Sequence, residues 1–271
     1  MGSSSILGLE CSGYLVEDGK INTDKKVMAV VSGGAYAEYV AVKEKNVINI
    51  PDNIDLIQAA AIPESWLTAY QLCRIAGVKK SDYCLIHAAA SGVGTALVQL
   101  IGLYEAESIC VVSNEKKLNF CISLGRGHGH GFLRKDTHAF NKILNLTHFH
   151  GCSVIFDCVG ATEFDSNINA AANDCRWVVY GFLGGSRIGE FNLNKLMEKR
   201  ISLHSSTLRN RSDDYKAELL QEFSQEIMPK FASGELNPVI DSIYTSVDHI
   251  KEAHHKMEND MNIGKIVVQW K

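Results

Sequence analysis

The sequence predicts an α/β protein, a doubly wound parallel sheet inserted between two pieces of a second, more β-rich body. Three observations predict it. From Tyr83 to Ser205, short apolar runs alternate with segments of helical periodicity, the pattern of strands covered on both faces and joined by crossover helices. The first run leads through Ala88-Ala89-Ala90-Ser91-Gly92-Val93-Gly94, a string of small residues, into a helix. Before Ser65 and after Arg211 the strict alternation lapses.

The elements follow in order. Residues 27–31 and 36–42 read as strands around Ser32-Gly33-Gly34, and 47–51 is an extended segment ending in Ile50-Pro51. A helical pattern begins at Asp55 and is interrupted by Pro63; a second helix covers 65–76 and stops at Gly77. The central series is strand 83–88, helix 95–103, strand 108–112, helix 116–124, strand 130–133, helix 137–147, strand 154–157, helix 163–172, strand 176–180 and strand 201–205. One long helix is expected over 215–232, then strand 239–244, helix 248–258 and strand 265–269.

Composition narrows the function. The 271 residues allow one large domain or two modest ones. Lys plus Arg number 27 and Asp plus Glu 31, for a net charge of −4. That balance supplies no basic surface for nucleic acid or an anionic membrane. No apolar run reaches the roughly 18–20 residues that span a bilayer. The opening Met1 to Gly8 lacks the basic-then-apolar order of a signal peptide and reads as a cut or a tag scar. Eight cysteines occur without a CxxC pair, several inside apolar runs. A reduced, cytoplasmic protein without a disulfide framework is the expectation.

The clearest chemical signal is the turn Ala88–Gly94. Small side chains let the backbone approach a pyrophosphate, and the following helix offers free N–H groups and its positive dipole end. Ala89, Ser91 and Gly94 occupy the three glycine places of GxGxxG, with Gly92 extra. At the end of the next strand, NAD sites carry an acid for the ribose hydroxyls. Here Ser113 stands there, with Lys116 and Lys117 three and four residues on. A small residue followed by cations suits a 2′-phosphate, so NADPH is expected rather than NADH, with Glu115 opposing.

Several segments together resemble a known family. Gly8-Leu9-Glu10-Cys11-Ser12-Gly13, Ala59-Ala60-Ala61-Ile62-Pro63, Trp66-Leu67-Thr68-Ala69-Tyr70, Ala90-Ser91-Gly92-Val93-Gly94 and Asn262-Ile263-Gly264-Lys265-Ile266-Val267 resemble medium-chain dehydrogenase/reductases. The branch is that of the zeta-crystallin-like NADPH:quinone oxidoreductases. Arg176–Gly181 and Leu208–Arg211 are similar to its tumour-suppressor-inducible members. The resemblance implies a GroES-like substrate domain over 1–65 and 207–271 and an inserted Rossmann NADPH-binding domain over 66–206, with the nicotinamide in the cleft between them. It implies cofactor contacts from Thr68, Ser91, Gly92, Val93, Gly94, Ser113, Lys117, Tyr180, Gly181, Phe182, Leu183, Ser206, Thr207 and Leu208. It places Phe132 where relatives often have a Tyr on the adenine side, so that stacking remains without the hydroxyl. It also implies a homodimer through the edge of the Rossmann sheet, at strand 201–205. Relatives carry several strands ahead of the Gly-Leu-Glu segment; a chain without them is expected to expose sheet edges and to turn over weakly or not at all.

Other chemistries find less support. Zinc-dependent relatives have His where Leu9 stands, and the closely spaced cysteines of a structural zinc lobe are absent. No metal is expected. His128 and His130, with His148 and His150, read as surface or loop residues. No Gly-x-Ser-x-Gly elbow occurs, and Cys11 reads as a packed residue. The expected activity is zinc-independent hydride transfer from NADPH to a quinone or similar conjugated carbonyl. A binding homologue without turnover and an enone or alkenal double-bond reductase are the alternatives. A quinone takes its protons from water, so no acid–base residue is assigned; Tyr36 and Trp66 read as core.

Overall fold

The Asp-Gly pair at Asp18-Gly19 sits between two polar-apolar alternating runs, and both residues adopt positive φ (50° and 76°), as a two-residue hairpin turn demands. The computed structural model describes residues 4–270; Met1, Gly2 and Ser3 of the opening segment and Lys271 lie outside the described residues. The turn joins β1 (Glu10–Glu17) to β2 (Lys20–Val30) in antiparallel register, Glu17 opposite Lys20 and Glu10 opposite Val30. β3 (Val47–Asn49) pairs with the other edge of β2. The sequence reading passed over β1. It also expected a strand at 36–42, where the structure has bends and irregular chain. Gly33 and Gly34 (φ 149° and 93°) turn the backbone. The amides of Gly34 and Tyr36 then bond the carbonyls of Ile6 and Leu7, so the segment spends its hydrogen bonds on irregular chain.

Helix α1 (Leu56–Ala60) opens with a capping box: Asp55 accepts from the Gln58 amide (2.7 Å) and the Gln58 side chain from the Asp55 amide (3.1 Å). Pro63, without an N–H, ends one helix and starts the next, α2 (Pro63–Ala76). The chain divides into two units, Met1–Thr68 with Leu208–Lys271, and Ala69–Thr207. Helix α2 carries it from the first into the second.

The second unit contains β4 (Tyr83–His87), α3 (Gly92–Leu103), β5 (Glu107–Val112), α4 (Glu115–Leu124), β6 (Gly129–Leu133), α5 (Ala139–Leu146), β7 (Cys152–Asp157), α6 (Phe164–Ala170), β8 (Ala171–Val179), α7 (Asn194–Glu198) and β9 (Ser202–Ser205). All six strands are parallel, in the order β6-β5-β4-β7-β8-β9. This is the Rossmann arrangement, with its topological switch point between β4 and β7. One face of the sheet packs a core that includes Leu85, Ile109, Phe132, Ile143, Ile155 and Trp177. Phe132 is therefore a core residue and offers no ring for stacking, against the sequence expectation.

Back in the first unit, Ser212 caps α8 (Asp213–Glu226), and a break at Ile227 separates it from α9 (Met228–Ala232). The expected single helix is split because Pro229 cannot donate within it. β10 (Ile240–Tyr244) pairs in parallel with β11 (Lys265–Val268), and α10 (Ile250–Glu258) lies between them in sequence. This β-rich body is the GroES-like part of the fold.

Candidate cofactor site

The site is built at the carboxyl ends of β4, β5, β7, β8 and β9. At the end of β4 the backbone turns through Ala88, which adopts φ +50°. The Ala89 amide bonds the Val111 carbonyl at 3.2 Å and the Ser91 amide the Ala88 carbonyl at 2.9 Å. Ser91 caps α3: its hydroxyl accepts the Gly94 amide at 3.1 Å and its carbonyl the Thr95 amide at 2.8 Å. Among the described residues the amides of Gly92 and Val93, in the first turn, make no hydrogen bond, as expected of a helix start. Gly94 has no alternative: a Cβ there would lie 2.5 Å from the carbonyl oxygens of Ala88 and Ala89. The turn is closed against its own helix, and an anion of pyrophosphate type fits the free amides.

The end of β5 carries the next pair. Ser113 is half-buried, and Asn114 caps α4 by accepting the Lys117 amide at 3.0 Å. Lys116 is exposed, whereas Lys117 is 3% exposed. The charge run is thus not a solvated helix face at Lys117.

Beyond β7, Asp157 accepts the amides of Val159 (2.7 Å) and Gly160 (2.9 Å). Gly160 takes φ +81°, and a Cβ on it would lie 2.7 Å from the Gly185 carbonyl. The segment after β8 is laced to this turn: Tyr180 N to Asp157 O at 2.8 Å, Leu183 N to Cys158 O at 3.0 Å, Gly184 N to Val159 O at 2.8 Å. Gly181 packs on Cys158, while Phe182 and Leu183 project outward, 60% and 80% exposed. The Tyr180 hydroxyl is buried beside Cys158; burial first, then the neighbouring Cys158, pushes it well above the phenol range. After β9, the Ser206 amide bonds Val179 O at 2.9 Å and its hydroxyl meets buried Gln71 at 3.2 Å.

Ser91, Gly92, Val93, Gly94, Ser113, Lys117, Tyr180, Gly181, Phe182, Leu183, Ser206 and Thr207 all fall in the second unit, in the segments that follow strand ends or in the first turns of α3 and α4. Thr68 and Leu208 belong to the first unit, at the two points where the chain crosses over. Sequence reasoning missed a buried polar cluster at the switch point, His87, Asp157 and Asn167. The available signal was a polar residue ending each of two apolar strands.

A second titratable group lies within the first unit. Lys265 forms an ion pair with Glu10, whose other oxygen accepts the Glu64 amide at 3.0 Å. Burial, then the Glu10 charge, pushes Glu64 up to about 7. Burial lowers Lys265, but the Glu10 pairing offsets this and leaves it above the ordinary lysine value. The Tyr36 hydroxyl and His254 Nε2 are 3.0 Å apart, and Trp66 is buried edge-on against Phe231. Cys11 is pushed up to about 11, by burial and then by Glu10, so it is no reactive thiolate.

Comparison with known proteins bears on this site. The family described as zinc-binding dehydrogenase matches residues 92–225. Human quinone oxidoreductase is 27% identical over 84% of this chain and 67% of its own length. The chain superposes on the quinone oxidoreductase of Pseudomonas syringae pv. Tomato DC3000 with TM-score 0.82 at 26% identity, covering 97% of this chain and 81% of that one. These similarities are to medium-chain dehydrogenase/reductases, quinone oxidoreductases among them. Similarity extends to the highly-reducing polyketide synthase 1 of Aureobasidium melanogenum (26% identical, 97% of this chain) and a synaptic vesicle membrane protein VAT-1 homolog of Danio rerio (25%, 96% of this chain). The chain spans only 12% and 57% of those two proteins. A mycobacterial protein solved in complex with NADPH shares the fold, with TM-score 0.84 at 24% identity over 97% of this chain and 82% of its own.

The zinc of the family description was tested against the donors present. Among the described residues no three His, Cys, Asp or Glu side chains are grouped to hold a metal ion, and Leu9 is apolar. His128 and His130 instead flank Glu107, at 2.9 and 3.2 Å from its two oxygens; His148 and His150 are exposed. The described residues offer zinc no set of donors. No described helix is long and apolar enough to cross a membrane.

Proposed function

We propose that the second unit binds NADPH and that the protein is a zinc-independent oxidoreductase delivering a hydride to a quinone or similar conjugated carbonyl. The observation that carries this reading is the Ser91-capped head of α3, with the Gly92 and Val93 amides unclaimed and Gly94 closed onto the turn. When bound, the dinucleotide supplies the hydride, and a quinone that receives it needs only a proton from water to become a hydroquinone. The chain's own part is to bind and orient. Ser91–Gly94 would hold the pyrophosphate; Ser113 and Lys117 would hold the 2′-phosphate; Tyr180–Leu183, Ser206, Thr207, Leu208 and Thr68 are the remaining cofactor contacts by analogy with the branch. Ser113 supports NADPH over NADH, because no acid occupies its place to repel the phosphate. No acid–base side chain is assigned. The eight free cysteines, seven of them buried, support a reducing, cytoplasmic setting.

The match to a highly-reducing polyketide synthase favours a second acceptor class, the carbon–carbon double bond of an enone or alkenal. Calorimetric titration with NADPH, then NADPH oxidation with ortho-naphthoquinone and with an alkenal, tests both. Binding with quinone turnover is the expected result. Turnover of the alkenal alone selects the second class. Heat of binding with neither acceptor consumed leaves a nucleotide-binding protein without catalysis, and absence of any heat overturns the reading.

A further inference from the structure

We propose that Asp157 is the positioning residue of the dinucleotide site, setting the turns after β4, β7 and β8 relative to one another. The inference rests on the proposed cofactor site. Asp157 is the last residue of β7 and His87 the last of β4, the two strands that flank the switch point. Asp157 is 0% exposed. A carboxylate in such a place costs several kcal/mol unless its lone pairs are filled. They are filled from four directions. Oδ1 accepts the Val159 and Gly160 amides, and Oδ2 accepts Asn167 Nδ2 at 3.0 Å and Trp177 Nε1 at 3.2 Å.

Each bond ties down a different piece. The two amides shape the turn after β7, to which the segment 180–184 is laced through Asp157 O, Cys158 O and Val159 O. Asn167 carries the tie to the phosphate turn. Its amide nitrogen is committed to Asp157, so its Oδ1 faces His87 Nε2, 2.7 Å away. That nitrogen must therefore carry the proton. His87 is the residue immediately before the turn Ala88–Gly94, and its carbonyl also accepts the Cys158 thiol at 3.7 Å. An apolar residue at 157 would pack more cheaply but could hold none of these turns.

The substitution Asp157→Asn replaces one oxygen with an amide nitrogen, which meets a donor from Asn167 or Trp177 or from the backbone amides. NADPH affinity of the full chain is measured by calorimetry, and steady-state kinetics with ortho-naphthoquinone follow. The dissociation constant should rise about tenfold, the size expected for losing one bond to a charged acceptor, with the loss falling on the NADPH KM rather than on kcat. The double variant Asp157→Asn/Asn167→Asp, which swaps acid and amide, should recover part of it. A merely structural role would lower the folded fraction, and hence the apparent kcat, and leave KM alone; that pattern overturns the proposal. If Asp157→Asn does not fold, His87 decides. His87→Gln keeps an N–H for Asn167 Oδ1 and His87→Leu does not. Weaker NADPH binding in the Leu variant, with recovery in Gln, supports the proposal; equal binding by both overturns it. Wild-type protein that binds no nucleotide overturns the cofactor site itself, whereas wild-type binding matched by Asp157→Asn overturns only this inference.

Discussion

The Arg176 guanidinium donates to the Asp82 carboxylate at 2.6 Å, with the acid side chain only 5% exposed. The same guanidinium also donates to the carbonyls of Ala76 and Gly77, at 3.0 and 2.6 Å, and so closes the carboxyl end of α2 onto β8. Arg176→Ala leaves a buried acid and two helix-end carbonyls without their cation. A loss of about 3 kcal/mol is expected by urea unfolding. Arg176→Lys should recover less than half, since a compact ammonium lacks the planar, spread fork with which the guanidinium spans these three acceptors. Full recovery by Lys would show that charge alone suffices.

Gly94→Ala places a methyl group against the Ala88 and Ala89 carbonyls. The turn must open or the helix must shift. Stability should fall by about 1–3 kcal/mol, and NADPH binding should be lost to a greater degree than stability. Thermal melts with and without nucleotide check this: a wild-type shift on adding NADPH that persists in the variant is the contrary result.

On the proposed reading, Lys117 separates the two dinucleotides. Lys117→Ala should weaken NADPH by roughly tenfold to a hundredfold, the range for losing a charge-assisted phosphate contact, and NADH hardly at all. Titrations with both nucleotides are the measurement. Equal weakening of the two would remove the 2′-phosphate assignment.

β9 is the outer strand of the six-stranded sheet, and all four of its residues are exposed, Leu203 among them at 45%. An unpaired edge invites another strand, and a homodimer pairing β9 with β9 is proposed. Leu203→Lys should convert the dimer to a monomer in sedimentation velocity while far-ultraviolet dichroism is unchanged. A wild-type monomer at all concentrations would end the idea.

Glu64 titrates above its unfolded value of 4.5, at about 7 in the folded protein. The native state therefore binds the proton more tightly than the unfolded chain between those limits. The stability from the protonated group is complete below pH 4.5 and is lost as pH rises through about 7. Glu64→Gln removes the dependence, so the variant should gain about 2–3 kcal/mol relative to wild type at pH 8 and little at pH 4.5. Denaturant unfolding at both pH values reads it. A gain equal at the two would assign the effect to packing.

Much of the Rossmann unit was legible from local pattern. Continuous apolar runs such as Tyr83–His87 and Cys152–Asp157 report strands covered on both faces, and Ser91 and Asn114 announce helix starts because capping is a matter of a few adjacent atoms. The candidate turn Ala88–Gly94 was legible for the same reason: it is one contiguous stretch of small residues. Pro229 also carried a local signal, since a missing N–H breaks any helix, and reading 215–232 as one helix overlooked it. Asp18-Gly19 likewise marked a hairpin that alternation alone did not reveal.

What periodicity could not decide is which partners distant residues find. Residues 36–42 have the composition of a strand, yet their backbone bonds go elsewhere, and pattern carries no information about a neighbour. Phe132 could equally have faced a ligand or the core until the sheet's twist and helix cover put it inside. Asp157, Asn167 and His87 are ten to eighty residues apart; only the parallel order that sets β4 beside β7 brings them within hydrogen-bond reach. Glu64 owes its proton affinity first to burial and then to Glu10, a neighbour 54 residues away. The sequence by itself determined the alternating elements of the Rossmann unit and its turn of small residues, because those depend on residues adjacent in the chain. The tertiary structure alone decided the buried polar cluster, the carboxylate with a raised pKa and the core position of Phe132, because burial and charge pairing are properties of packing between segments.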